Sequence, residues 1–110
     1  MIDWNRLREL REEVGADDFE EVVELFLDEA DNVINKLRTF PEPGELERNL
    51  HFLKGSALSL GFRGFSDLCQ SGENAAAQGK TAQVDLKELL ACYDSSKDTF
   101  LANLQRQIAP

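Results

Sequence analysis

The chain has 110 residues, 42% of them apolar and 30% charged, with a net charge of −9. That length suits one domain, residues 1–110, able to bury about 65% of its unfolded surface in a single core, and the acidic balance argues against nucleic-acid or anionic-membrane partners, which need a basic surface. No apolar run approaches the roughly 20 residues that cross a bilayer, and the polar start MIDWNRLREL is no secretory signal, so the cytoplasm is the expected location.

Hydrophobic periodicity predicts five helices and almost no strand. Asp3 reads as the N-cap of a first helix over 4–13, ended before Gly15. Asp17 or Asp18 then caps a long helix over 18–39, with Phe19, Val22, Val23, Phe26, Ala30, Val33, Ile34 and Leu37 as its core stripe. Glu20, Glu24, Asp28 and Asp31 make its solvated acidic face. Pro41-Glu42-Pro43-Gly44 breaks the chain, although Pro43 could also stand in the first turn of the next helix, where its missing N–H does no harm.

The third helix is expected over 44–59, and Gly61 ends it at a tight corner. A fourth follows over 63–78, where Gly64 and Gly72 each weaken the helix by about 1 kcal/mol relative to alanine; close contact with a neighbouring helix would explain them. The last helix runs from Val84–Asp85 to Ile108, with Leu86, Leu89, Leu90, Tyr93, Phe100, Leu101, Leu104 and Ile108 on its buried side. Cys69 and Cys92 show neither a CxxC nor a zinc spacing and read as core residues. The expected fold class is therefore all-α: an antiparallel up-down four-helix bundle with a short additional N-terminal helix, whose Trp4 and Leu7 pack over one end. No repeat or low-complexity segment is present.

The residue that stands apart is His51, the only histidine. Leu46, Leu50, Leu53, Ala57 and Leu60 recur at steps of four and three and mark the buried stripe of the third helix. At about 100° per residue, His51 lies roughly 140° from the middle of that stripe. Burial does not explain it. Lys54 and Leu58 share its outer face, and Gly55 leaves the space beside the imidazole empty at a cost of about 1 kcal/mol to the helix. An exposed imidazole with a free nitrogen, a nearby cation and room for an approaching molecule is what a transient phosphohistidine requires. Taken singly, Lys54 could be a solvated helix lysine and Gly55 a helix contact. Ser56 points about 140° away from His51 and suits a helix–helix contact.

His51, Lys54, Gly55, Ser56 and Gly61 reproduce an H-x-x-K-G-[SA]-x(4)-G run, and in this the chain resembles histidine-containing phosphotransfer (HPt) domains. The run covers about a tenth of the chain; the helical pattern extends the likeness to nearly all of it. The resemblance implies a phosphocarrier, not an enzyme with turnover of its own: His51 as phosphoacceptor, Lys54 as charge support for the phosphate, Gly55 for steric access and Leu58 in a docking patch. HPt domains commonly carry a glutamate or glutamine 22 residues after the histidine, where Glu73 stands; Gln70, one turn earlier, could assist it. Glu73 resembles the glutamate of chemotaxis-type kinases, whereas many relay domains carry glutamine. The implied partners are receiver domains of hybrid histidine kinases and response regulators, with the chain monomeric. No cofactor is expected, any Mg2+ being supplied by the partner receiver.

Rival readings are a phosphoacceptor domain of a chemotaxis-type kinase, a non-catalytic adaptor bundle, an enzyme using His51 as general base, and a metal or haem bundle. A convex helix offers no substrate pocket for the third, and a lone histidine without a Glu-x-x-His pair argues against the fourth. The start at Met1 and the polar tail after Leu104 favour a free-standing relay protein over an excised kinase fragment.

Overall fold

A computed structural model describes residues 2–108; Met1, Ala109 and Pro110, and with Met1 the expectation of a free-standing start, lie outside the described residues. Five α-helices follow one another: α1 (Trp4–Val14), α2 (Ala16–Thr39), α3 (Leu46–Leu60), α4 (Arg63–Ala77) and α5 (Leu86–Ile108), with 3-10 turns at Pro43–Glu45 and Thr81–Gln83. Among the described residues there is no strand, only an isolated antiparallel bridge between Ile2 and Phe62. No helix among them is long and apolar enough to cross a membrane. The result is a helical bundle in which α3 lies most extensively on α4, while α1 packs against α2, α3 and α5.

Local chemistry sets the boundaries. The Asp3 carboxylate accepts the Arg6 N–H and caps α1. Gly15 has φ 90°, and its N–H donates to the Arg11 carbonyl, so one glycine both closes α1 and opens α2. This corrects the expectation that Asp17 or Asp18 caps α2. Both lie inside its first turn instead, where a carboxylate is favoured by the helix dipole. The Pro43–Glu45 turn occupies the expected start of α3, which begins at Leu46. The Asp85 carboxylate accepts the Glu88 N–H at 3.0 Å and starts α5.

The core gathers Leu7, Leu10, Phe19, Val23, Leu27, Ile34, Leu50, Leu53, Leu60, Phe62, Phe65, Leu89, Tyr93 and Phe100. Leu27 belongs to the buried side of α2, although it is absent from the expected stripe; Val22, Phe26 and Val33, which the stripe includes, are only half-buried. An aromatic cluster joins the helices: Trp4 stacks on Phe100 at 5.7 Å, Phe100 meets Phe62 edge-on at 5.4 Å, and Phe65 lies 5.2 Å from Tyr93. Each such pair adds about 0.5–1.5 kcal/mol beyond its buried area.

Two surface expectations are corrected. Leu101, expected on the buried side of α5, is 54% exposed; Phe100 beside it takes the inward position, and consecutive helix residues cannot share one face. Asp31 is not merely part of a solvated acidic face. It is half-buried and ties α2 to α5, accepting the Tyr93 hydroxyl at 2.6 Å and the Lys97 ammonium at 2.7 Å. Burial, with this bond to Asp31, pushes the Tyr93 phenol well above its ordinary range. Cys69 is fully buried, and desolvation raises its thiol to about 12, so it stays protonated as a core residue; Cys92 is half-buried and also free.

The α3–α4 corner fixes how these two helices face each other. Gly61 caps α3 with φ 74°, a left-handed conformation that glycine adopts without strain. Its carbonyl accepts the Asp3 N–H at 2.7 Å. A Cβ there would meet the Asp3 carbonyl oxygen at 2.6 Å and the Leu7 side chain at 2.8 Å. Further along α4, Gly72 leaves room for Leu50: a Cβ would stand 2.7 Å from Leu50 Cδ1. That close approach brings α3 and α4 together at one level of the bundle.

Candidate functional site

Beside the Leu50–Gly72 contact, the next residue of each helix forms the site. His51 on α3 has its side chain 68% exposed, and its Nδ1 lies 2.8 Å from Glu73 Oε2 on α4. A carboxylate can only accept. In the neutral ring Nδ1 therefore carries the proton and donates, and the Nε2 lone pair is left for chemistry. Glu73 is the inner member of the pair, at 17% exposure.

The other carboxylate oxygen faces Lys54 Nζ at 2.9 Å. That ammonium also donates to Gln70 Oε1 at 3.1 Å, and the Gln70 amide donates to Asn74 Oδ1 at 2.9 Å. Lys54 is thus folded against α4, 21% exposed, rather than held out in water. The Lys54 bond, opposed by desolvation and aided by His51, holds the Glu73 carboxyl below its ordinary value. A carboxylate with a depressed pKa stabilises the fold above its unfolded pKa and loses that contribution as pH falls through the folded one. Wild type should therefore melt above Glu73→Gln at neutral pH, and the gap should narrow in the acid range below about 4.5, the ordinary value. A pH series of thermal melts reads this directly; a gap independent of pH would show that the ion pair does not matter.

Gly55 opens onto free space: beyond its chain neighbours and its own helix backbone, no heavy atom of the described residues lies within 4 Å of where a Cβ would stand. Ser56, on the far side of α3, is buried. Leu58 and Phe52 are exposed apolar residues on the same helix as His51. The structure thus brings His51, Lys54, Gln70 and Glu73 into one network and leaves Leu58 as a separate apolar spot two turns further on. Sequence reasoning missed Phe52, which lies outside both the core stripe and the motif. It missed Asn74 too, for which the only signal was its position one turn after Gln70. It also missed Arg48, one turn before His51, which lines an open hollow with Gly44, Glu47, His51 and Glu73.

Among the described residues, no group of three or more His, Cys, Asp or Glu side chains could hold a metal ion. A family model described as Hpt domain matches residues 21–107, from early α2 to the end of α5. No curated protein and no solved structure matches the chain.

Proposed function

Since the chain belongs to the Hpt domain family, whose members are phosphocarriers of histidine phosphotransfer relays, we propose that it accepts a phosphoryl group on His51 from the phosphoaspartate of one receiver domain and passes it to another. The observation that carries this reading is the exposed ring with Nδ1 turned to Glu73 at 2.8 Å. Such an arrangement orients the nucleophile and leaves Nε2 facing out.

In the transfer, the Nε2 lone pair forms an N–P bond as the acyl-phosphate P–O bond breaks. The electron pair of that bond leaves on the receiver's aspartate carboxylate. The proton stays on Nδ1, and the Glu73 carboxylate offsets the positive charge the ring acquires. The return step is the reverse, onto a second receiver. Alignment and charge neutralisation dominate phosphoryl transfer, so a positioned imidazole is most of what the carrier must supply. Any Mg2+ belongs to the receiver, and the carrier itself needs no cofactor. In this reading the chain is a cytoplasmic monomer that ends each half-reaction chemically changed, Leu58 helps to seat the receiver, and Lys54 and Gln70 support Glu73.

The direct test is incubation with a phosphorylated receiver, followed by a search for acid-labile, base-stable label on the chain. A Gly55→Gln variant adds the steric part. Its side chain would fill the approach to the ring, and transfer is expected to fall by about tenfold to a hundredfold. Its melting temperature should equal or exceed that of wild type, because glutamine is the better helix former by somewhat under 1 kcal/mol. Normal transfer would refute the steric role. A second reading, a phosphoacceptor fed by an ATP-binding kinase domain, draws on the glutamate at position 73, which resembles that of chemotaxis-type kinases. Offering such a kinase with ATP in place of the phosphorylated receiver separates the two.

A further inference from the structure

Two cations flank His51 on α3, Arg48 one turn before it and Lys54 one turn after, and the structure treats them differently. We infer that Arg48, not Lys54, is the cation that meets the phosphoryl group on His51. The inference rests on reading His51 as the phosphoacceptor.

Lys54 is already committed. Its ammonium lies 2.9 Å from Glu73 Oε1 and 3.1 Å from Gln70 Oε1. Moving it to a phosphate would take from Glu73 the partner that most lowers its pKa, and would loosen the carboxylate that orients the ring. Arg48 is not committed in this way. Its side chain is 76% exposed and is paired only with Glu45, one turn back, among the described residues. An exposed pair of this kind contributes about 0–1 kcal/mol, so the guanidinium is cheaply redirected.

Helix geometry puts Arg48 on the right side. Side chains on a helix lean towards its N-terminus, so the His51 ring overhangs the turn that holds Glu47 and Arg48. The hollow beside the ring is lined by Gly44, Glu47, Arg48, His51 and Glu73, and Lys54 is not among its walls. Gly44 keeps it open, with nothing within 4 Å of where its Cβ would stand. Glu73 is already matched by Lys54 and by the ring, but Glu47 adds a further negative charge to the hollow's lining, which a phosphoryl group on the adjacent ring would meet. Like charges oppose each other, and among the described residues Arg48 is the one lysine or arginine that lines the hollow and can offset them. Its planar fork can grip two phosphoryl oxygens at once, which a lysine cannot. As the N–P bond forms and the receiver's P–O bond breaks, the guanidinium would turn from Glu45 to the phosphoryl oxygens.

The test compares full-length wild type, Arg48→Gln, Arg48→Lys and Lys54→Gln, with His51→Gln as control. Transfer from a phosphorylated receiver is followed against receiver concentration. The phosphoryl group on the purified phosphoprotein is then titrated by phosphorus NMR, without the receiver. Arg48→Gln is expected to lower the maximal transfer rate about tenfold and to raise the pKa of the phosphoryl group, because a nearby cation favours its dianion. Arg48→Lys should recover both in part, and Lys54→Gln should leave the titration unchanged. The inference is overturned if Arg48→Gln shows a wild-type maximal rate and titration, if it alters only the half-saturating receiver concentration, or if Lys54→Gln alone moves the titration. Absence of label on wild type itself would overturn the phosphoacceptor reading first, an outcome distinct from all of these.

Discussion

His51→Gln is expected to abolish phosphoryl labelling completely while leaving the helix content and the melting temperature close to wild type. The loss is total because no other imidazole exists in the chain and an amide nitrogen has no lone pair available to attack phosphorus. The fold survives because the side chain is 68% exposed and takes no part in the core cluster. Glutamine also keeps an N–H that can donate to Glu73, so the inner carboxylate is not stranded. Label transfer from a phosphorylated receiver and far-UV circular dichroism measure the two halves. Residual acid-labile, base-stable label on the variant would place the acceptor elsewhere and end the proposal.

Gly61→Ala should do the opposite: it should damage the fold far more than the chemistry. Holding alanine at φ 74° costs about 1–3 kcal/mol. The added Cβ then meets the Asp3 carbonyl oxygen at 2.6 Å and Leu7 Cδ2 at 2.8 Å. Leu7 is fully buried and Asp3 is held by its backbone bond to Gly61, so neither gives way easily, and overpacking adds about 1–3 kcal/mol. A loss of about 3 kcal/mol, or about 15 °C in Tm, is the expected outcome. Gly55→Ala is the matched control, since a Cβ there meets nothing and alanine should gain about 1 kcal/mol in a helix interior. Equal melting temperatures for the two variants would show that the α3–α4 corner does not depend on Gly61. Below its lowered melting temperature, Gly61→Ala should still accept phosphoryl label.

Much of the fold is legible from the residues. The step of three and four along Leu46, Leu50, Leu53, Ala57 and Leu60 is a property of one helix, and all five are buried. The breaks at Gly15 and Gly61 are legible because both positions have positive φ, which favours glycine over any other residue. The cap of α2 is misplaced on sequence grounds because Asp17 and Asp18 are good caps wherever they stand, and nothing local says that the preceding glycine will serve two helices at once. Leu101 reads as inward because a broad apolar stripe does not reveal which edge the neighbouring helix covers.

The sequence by itself determined the helices, their boundaries to within a few residues, and the outward direction of His51, because each of these depends on the angle a residue takes around its own axis. Only the tertiary structure decided that Glu73 meets Nδ1, that Lys54 folds onto that carboxylate, that Arg48 is left facing the hollow, and that Asp31 takes up Tyr93 and Lys97. Those pairings depend on the rotation and register of one helix against another. Packing sets both: Leu50 seats where Gly72 has no side chain, and the residues next to them are carried into contact.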